Sequence, residues 1–591
     1  MTTPTSRPVI YGTQGVISSG HYLTSMAGMR MLLSGGNAFD AIVAAGFAAA
    51  VTEPIASYSL GAEGVFMLYH ADSGDLLSLS GQGTAPNKTT VEWYRDQGHD
   101  AIPTGPGPDA HLSFTVPGVV AAFLSMLERY GTKSVGEVLA PSIQYAGEGI
   151  PNYEYMLRSI GNENTRKQWA QYPPGGTDVF YDNGAIPQPG SLLVQPGMAG
   201  TLEKLVEAEK AAEGDRAEGV RAARECFYEG EVARTIAECS ERVGGILDME
   251  SLADYEAKYE TPIKTSFLGH EVHGQRTWTQ GAVLMQSLNI LENFDLQAMG
   301  HNSTAYIHTV SQALNLAFAD RQTYYGDPDF ADVPIEGLLS KEYARERAKL
   351  IDSDRAFPET PEPGDPWRYS RPFRNTKGAR DGARNAVERG MPAQESSDEV
   401  GTTHISVIDG EGNMVAATPS GGSFSKSVFF PELGYALSTR MEMLNFIDGH
   451  PNRLEPGKRP RTTLINFIVS KDGVPVMTVG CPGGDHQAQA NLQLILNSLL
   501  WGMNPQAAVE APRFASNNVV NSFYPHSYFP GQLAVEHAIP QSTRDELAAM
   551  GHEVIAVDGA GVGATVSTRD PDTGVLASSA DPRRACYALS C

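Results

Sequence analysis

A threonine that heads a polypeptide carries nucleophile and base on one residue. Its Oγ can attack a carbonyl while its own α-amine, with a pKa of about 7.7 to 8.0, takes the proton. The stretch Glu399-Val400-Gly401-Thr402-Thr403 would create such a residue if the peptide bond before Thr402 were cut. Gly401 suits the leaving acyl position, because without a side chain its carbonyl is open to Thr402 Oγ. The plain alternative is that Thr402-Thr403 opens an edge-like strand on β-propensity. A second candidate is Gly483-Gly484, set between an apolar strand and a helix. Unpaired N–H groups at a helix start can hold a developing oxyanion, although a tight turn has the same composition.

The elements that would position these groups are legible from periodicity. Before Thr402, Gly35-Gly36-Asn37 introduces an Ala-rich helix from Ala38 to about Thr52, interrupted by Asp40. A hairpin is predicted from Val65–His70 and Asp75–Leu79. Helical spacing dominates from about 117 to 350 and is strongest from Ser303 to Tyr325. Residues 352 to 400 hold clustered prolines and many charges, which predicts an exposed, mobile segment. After it, alternation over Thr403–Ile408 and Met414–Thr418 around Asp409-Gly410-Glu411-Gly412-Asn413 gives one hairpin. Leu464–Val469 and Val474–Val479 give a second, and a helix runs from roughly Gln487 to Trp501. The chain therefore divides near residue 401, into parts 1–401 and 402–591.

Bulk properties exclude several classes. With 591 residues and 41% hydrophobic content, the chain can bury a large core. A net charge of -25 and no basic stripe argue against nucleic acid. No apolar stretch is long enough to span a bilayer, which argues against a membrane protein. The start lacks a secretory pattern, and five sparse cysteines without a CxxC pair suggest neither a disulfide framework nor zinc. A cytoplasmic, cofactor-free protein is expected. His270-Glu271-Val272-His273 has the wrong spacing for a metal pair on one helical face and is expected to be a surface strand. Gly559-Ala560-Gly561-Val562-Gly563 is expected to be a turn, and no Gly-x-Ser-x-Gly elbow is present.

Several segments resemble the gamma-glutamyltransferase family, in family order: Gly35–Asp40, Val116-Pro117-Gly118, Ala319-Asp320-Arg321, Gly326–Phe330, Gly401–Asn413, Pro456–Pro460, Pro482-Gly483-Gly484 and Asp581-Pro582-Arg583. They span nearly the whole chain. The resemblance implies an α+β fold of four αββα layers and a precursor that cuts itself between Gly401 and Thr402 into large and small subunits. A dimer of such pairs is left open. It also implies an acyl-enzyme on Thr402, released by water or an amine acceptor, with Gly483 and Gly484 as oxyanion donors. Ser420 falls where the family has a second hydroxyl beside the nucleophile, and Thr418, one strand step earlier, is expected to contact substrate. Thr462 and Thr463 fall where paired hydroxyls touch the substrate carboxylate.

The substrate clamp departs from the family. Gln82, in Gln82-Gly83-Thr84-Ala85-Pro86, stands where an arginine usually grips the γ-glutamyl carboxylate, so charge-assisted bidentate pairing is lost. The groups that usually hold the α-amine fall at Gly422 and at Glu442 or Met443, and Arg440 replaces a neutral amide. The expectation is a self-processing amide-bond hydrolase or acyltransferase. One alternative is an acylase for a dicarboxylic or small-amide substrate, with Arg440 taking a carboxylate from a new direction. Another is an unprocessed scaffold that only binds a small acid.

Overall fold

The computed structural model describes residues 5–173, 175–370, 391–392, 401–422 and 426–591. Among these, fourteen strands build two seven-stranded sheets. In chain order they are β1 Ile10–Gly12, β2 Gly15–Ser19, β3 Glu63–His70, β4 Asp75–Gly81, β5 Lys258–Glu260, β6 Ile263–Phe267 and β7 His270–Gly274, then β8 Ile405–Asp409, β9 Met414–Ser420, β10 Asn466–Lys471, β11 Val474–Gly480, β12 Thr565–Arg569, β13 Leu576–Ser578 and β14 Tyr587–Ser590. The first sheet runs β14-β2-β8-β9-β3-β4-β5 and the second β1-β13-β12-β11-β10-β7-β6. Both are antiparallel throughout.

The sheets face one another through Val16, Met67, Ile408, Met414, Ile468 and Leu576. Helices cover each outer face. On the first sheet, α1 Tyr22–Leu33 and α2 Ala38–Thr52 pack with α3 Val119–Tyr130 and α4 Val135–Glu148. On the second, α5 Gly281–Leu291, α6 Thr304–Tyr324 and α7 His486–Leu499 share a core with Phe467, Val469 and Val479. The order helix, sheet, sheet, helix is the expected αββα sandwich. Strands that bury both faces read as near-continuous apolar runs, which is why β3 and β10 were visible in the sequence.

Asp40 does not break α2; it starts it. Its carboxylate accepts from Asn37 N at 2.9 Å, while the Asn37 side chain accepts from Phe39 N and Asp40 N, a reciprocal capping box. The remaining lone pairs take Thr132 and Lys133 donors. A buried charge thus has every oxygen satisfied.

Three expectations change. The strand after Thr402 is not an edge: β8 is third in its sheet, with Val407 opposite Ile17 of β2 and Val415 of β9. Its outer neighbours β2 and β14 come from the two ends of the chain, a pairing that local sequence cannot reveal. The His270–His273 strand is internal too, flanked by β6 and β10, with His273 buried. The segment after 352 is held down as far as it is described. Gly364 N donates to Asp320 at 2.8 Å, Tyr324 donates to Gly364 O at 2.7 Å, and Trp367 is buried. Residues 371–390 and 393–400, the rest of the expected mobile segment, lie outside the described residues.

Between the sheets, His404 sits in a polar seam. Its Nδ1 lies 2.8 Å from Thr418 Oγ1 and its Nε2 3.0 Å from Ser406 Oγ. Burial lowers its pKa to about 3, so the ring is neutral at working pH. A Cβ on Gly480 would fall 1.9 Å from His404 Cε1. Gly480→Ala is therefore expected to destabilise the protein by about 1–3 kcal/mol through overpacking, measured as a lowered urea midpoint.

Candidate active site

Thr402 lies at the head of β8 and is only 4% exposed. Its N–H donates to Ala56 O, in the short turn Pro54–Ala56 that follows α2. Thr403 N donates to Pro419 O at 3.3 Å, and Gly421 N to Ser57 O at 2.5 Å. The 402–403 and 419–421 segments are thereby fastened to one turn. A Cβ on Gly401 would come within 2.5 Å of Ser57 Oγ, so the residue before Thr402 has room only for glycine. Thr402 has φ of +85°, a region that β-branched residues avoid. Such a conformation costs on the order of 1–3 kcal/mol. The strain sits beside the peptide bond whose rupture would release it.

Ser420 closes β9, opposite Glu63 of β3. Its Oγ is buried and unpaired among the described residues. The glycine loop lies between β11 and α7. Gly483 and Gly484 have φ of +118° and +54°, and each is half-buried. Neither N–H has an acceptor among the described residues, while their carbonyls accept from His486 N and Gln487 N and so start the helix. The N–H groups are left for an anion, with the helix dipole adding to their field.

Buried groups fix this loop from behind. Gln280 Nε2 donates to Gly484 O at 3.0 Å and to Thr463 O at 2.9 Å. Asp485 pairs with Arg321 and accepts from Ser522 N at 2.7 Å and Ser522 Oγ at 2.8 Å. Burial pushes the Asp485 carboxyl up, but the Arg321 guanidinium and the Ser522 donors outweigh it and leave it below its ordinary range. Phe523 follows, its Cε2 3.5 Å from where a Cβ on Gly484 would stand. The expected turn at 559–563 backs the same loop: Gly563 leaves space that a Cβ would fill 2.9 Å from Pro482.

The residues expected to meet substrate divide into three groups. Thr463 Oγ1 and Gln82 Oε1 are buried without a partner among the described residues. Thr462 Oγ1 accepts from Leu464 N at 3.3 Å. Thr418 is committed elsewhere: its hydroxyl donates to Ile465 O at 2.9 Å, accepts from Asn466 Nδ2 at 3.0 Å and meets His404. It ties the two sheets together and has nothing left for a ligand. The charged pair is internally matched. Arg440 Nε donates to Glu63 Oε1 at 2.7 Å, with its Nη2 unpaired among the described residues. Glu442 Oε2 accepts from Thr104 at 2.8 Å and lies 3.2 Å from Lys426 Nζ, while its Oε1 is unpaired. Arg440 and Lys426 both stand over the Phe523 ring, which joins this cluster to the Gly484 loop.

Glu63, Lys426 and Phe523 belong to the site but had no sequence motif. A glutamate leading an otherwise apolar strand was the one available signal for Glu63. Lys426 and Phe523 reach the site from distant loops and left none.

A threonine heading a strand of an αββα sandwich, beside a glycine-rich helix start, defines the class of N-terminal-nucleophile hydrolases. Within it, the chain belongs to the gamma-glutamyltranspeptidase family, whose model matches residues 24–591. The glutathione hydrolase proenzyme of Bacillus subtilis is 30% identical over 93% of this chain and 86% of its own length. Acylase ACY 1 proenzyme of a Pseudomonas strain is 32% identical, over 92% and 88% respectively. The cephalosporin acylase structure from Bacillus halodurans superposes with a TM-score of 0.84, at 28% identity, covering 100% of this chain and 98% of that one. The chain is thus an enzyme, a self-processing hydrolase or acyltransferase of gamma-glutamyltranspeptidase type made as a precursor of two subunits. No helix among the described residues is long and apolar enough to cross a membrane.

Proposed function

We propose that the chain cuts itself between Gly401 and Thr402, giving subunits 1–401 and 402–591, and that Thr402 then hydrolyses amides whose acyl group carries no α-ammonium. Thr402 Oγ attacks the amide carbonyl while its freed amine accepts the hydroxyl proton. The Gly483 and Gly484 N–H groups take the oxyanion and the unpaired Ser420 hydroxyl orients the attack. Collapse expels the amine, protonated by the same α-ammonium. Water or an amine acceptor then repeats the sequence on the acyl-enzyme, and Thr402 is regenerated.

The internal pairing of the charged groups carries the choice of substrate. A zwitterionic γ-glutamyl group needs a free cation and a free anion at one end of the pocket. Arg440 is matched by Glu63 and Glu442 by Lys426, while Gln82, Gly422 and Met443 bring no charge. What stays open is a set of hydrogen-bonding atoms: Arg440 Nη2, Thr463 Oγ1, Gln82 Oε1 and Glu442 Oε1, the last on a carboxylate whose charge Lys426 already matches. Such a set suits a carboxyl or amide terminus, and the acylases among the relatives support it.

Glutaryl and γ-glutamyl p-nitroanilides differ only by the α-ammonium. The processed enzyme is expected to favour glutaryl by at least roughly tenfold in kcat/KM, about the 1.4 kcal/mol that an unmatched ammonium costs. A preference for the γ-glutamyl compound would overturn the substrate choice and leave the nucleophile untouched.

A further inference from the structure

We propose that Arg584, with Glu53 coupled to it, is the positioning residue of the nucleophile: Arg584 holds the Thr402 carbonyl and Glu53 the Thr403 hydroxyl, and together they fix the backbone that carries the Thr402 amine and hydroxyl once the chain is cut. The proposal rests on Thr402 being that nucleophile. Arg584 lies just beyond the Asp581-Pro582-Arg583 motif, and no motif included it.

The geometry comes from both sides of one peptide. Arg584 Nη1 donates to Thr402 O at 2.7 Å. Thr403 Oγ1 donates to Glu53 Oε2 at 2.8 Å, and Thr24 Oγ1 to Glu53 Oε1 at 2.9 Å. Arg584 is 6% exposed and Glu53 1%. A guanidinium stays charged at any working pH, so burying one requires a facing anion. Glu53 is coupled to it through space. Burial is the largest influence on the Glu53 carboxyl and raises its pKa on balance, with Arg584 and the two hydroxyls opposing that rise. The Tyr155 ring, 4.8 Å from Arg584 Cζ, closes the other side.

Cleavage makes this grip necessary. In the precursor, residue 402 is anchored by peptide bonds on both sides. Afterwards its N-terminal side is free, and rotation about Cα–C would carry amine and Oγ away from the glycine loop. Arg584 fixes the plane of the 402–403 peptide, and so the place and direction of that axis, while Ala56 O, which accepts from Thr402 N, fixes the turn about it. The precision needed for a near-attack geometry is well under 1 Å, so a residue that never meets substrate controls turnover.

Charge adds a second consequence. Arg584 disfavours the protonated α-amine and Glu53 favours it. Beyond them, Asp581 and Arg7 act on Cys586 as Arg584 and Glu53 do and carry opposite charges, while burial disfavours the charged forms of the histidines, of Tyr153 and of Cys586. Burial, then Arg584, lowers the His21 pKa to about 4, and burial lowers that of His404 to about 3. Burial also pushes the Tyr153 phenol and the Cys586 thiol up, and the Tyr155 phenol completes the shell. The arginine and the glutamate therefore act on the amine with opposite signs.

The test uses self-processed enzyme and the pH profile of kcat/KM on the better p-nitroanilide. Arg584→Met is expected to move the acid limb up by about half a unit or more and Glu53→Gln to move it down. Both lower kcat by roughly tenfold with KM within about twofold. Arg584→Lys, which keeps the charge but loses the fork, should hold the limb and lose rate; it also serves if Arg584→Met remains unprocessed. Limbs within about 0.2 unit of the parent in Glu53→Gln and in the arginine variants, with kcat unchanged, would reduce the pair to a structural role. Thr402→Ala separates the two failures: if that variant stays active, the nucleophile assignment falls and the positioning role with it. If it is inert and the limbs do not move, only the positioning role falls.

Discussion

Thr402→Ala protein is expected to run as a single full-length band on a denaturing gel and to lose turnover by at least about 10³-fold, the scale on which acyl-transfer enzymes lose their nucleophile. One substitution removes two activities because one hydroxyl performs both. In the precursor Thr402 Oγ attacks the Gly401 carbonyl, and in the processed enzyme it attacks substrate. Ser in place of Thr keeps the oxygen, so Thr402→Ser should still yield two bands, the smaller beginning at residue 402 by N-terminal sequencing. Two bands from the alanine variant would sink the cleavage mechanism. A persistent single band in the parent protein, together with activity that Thr402→Ala does not change, would favour the inactive binding scaffold. Folding is not at issue, since among the described residues the Thr402 side chain makes no hydrogen bond, and the circular dichroism of the variant should match the parent.

Asp485→Ala should be the most damaging change to the site that leaves Thr402 intact. The side chain balances the Arg321 guanidinium in a place where both are under a tenth exposed. Breaking a buried pair by removing one partner costs about 3–5 kcal/mol, because the remaining charge stays buried and unmatched. The same carboxylate also holds Ser522, and through it Phe523 against the Gly484 loop. A fall in the urea midpoint and a drop in kcat of roughly 10²-fold are expected together, the latter being the usual cost of losing oxyanion donors. The pH dependence has a definite sign. The folded-state pKa of Asp485 is depressed below its ordinary 3.8. Its contribution is therefore complete above about pH 4 and lost as pH falls through the lower folded value. The parent protein should lose stability in that acid window more steeply than Asp485→Ala. Equal acid slopes, or an unchanged urea midpoint, would refute the role given to the pair.

Much of the molecule was written in local pattern. The Ala-rich helix, the three hairpins at 63–81, 405–420 and 466–480, and the long helix at 304–324 all stand within one or two residues of where periodicity put them. Apolar spacing decides such elements, and it survives without knowledge of neighbours. Gly401, Gly483 and Gly484 were also legible, because only glycine fits a crowded or positive-φ position. Partner choice was not legible. Arg440 read as a free cation for a substrate carboxylate; the fold gives it Glu63, 377 residues away. Thr418 read as a substrate contact, and the second sheet claims its hydroxyl through Ile465 and Asn466.

Thr402 shows the division most sharply. The sequence by itself determined that a threonine following glycine begins a strand and that a glycine pair begins a helix, since those are matters of backbone preference over a few residues. Only the tertiary structure decided that the strand lies deep in a sheet, that Arg584 holds the Thr402 carbonyl and Glu53 the Thr403 hydroxyl, and that Arg440 and Glu442 each have a partner of opposite charge. Burial raises the cost of every unmatched charge and donor, so which groups remain open to a ligand depends on what the rest of the chain has packed against them.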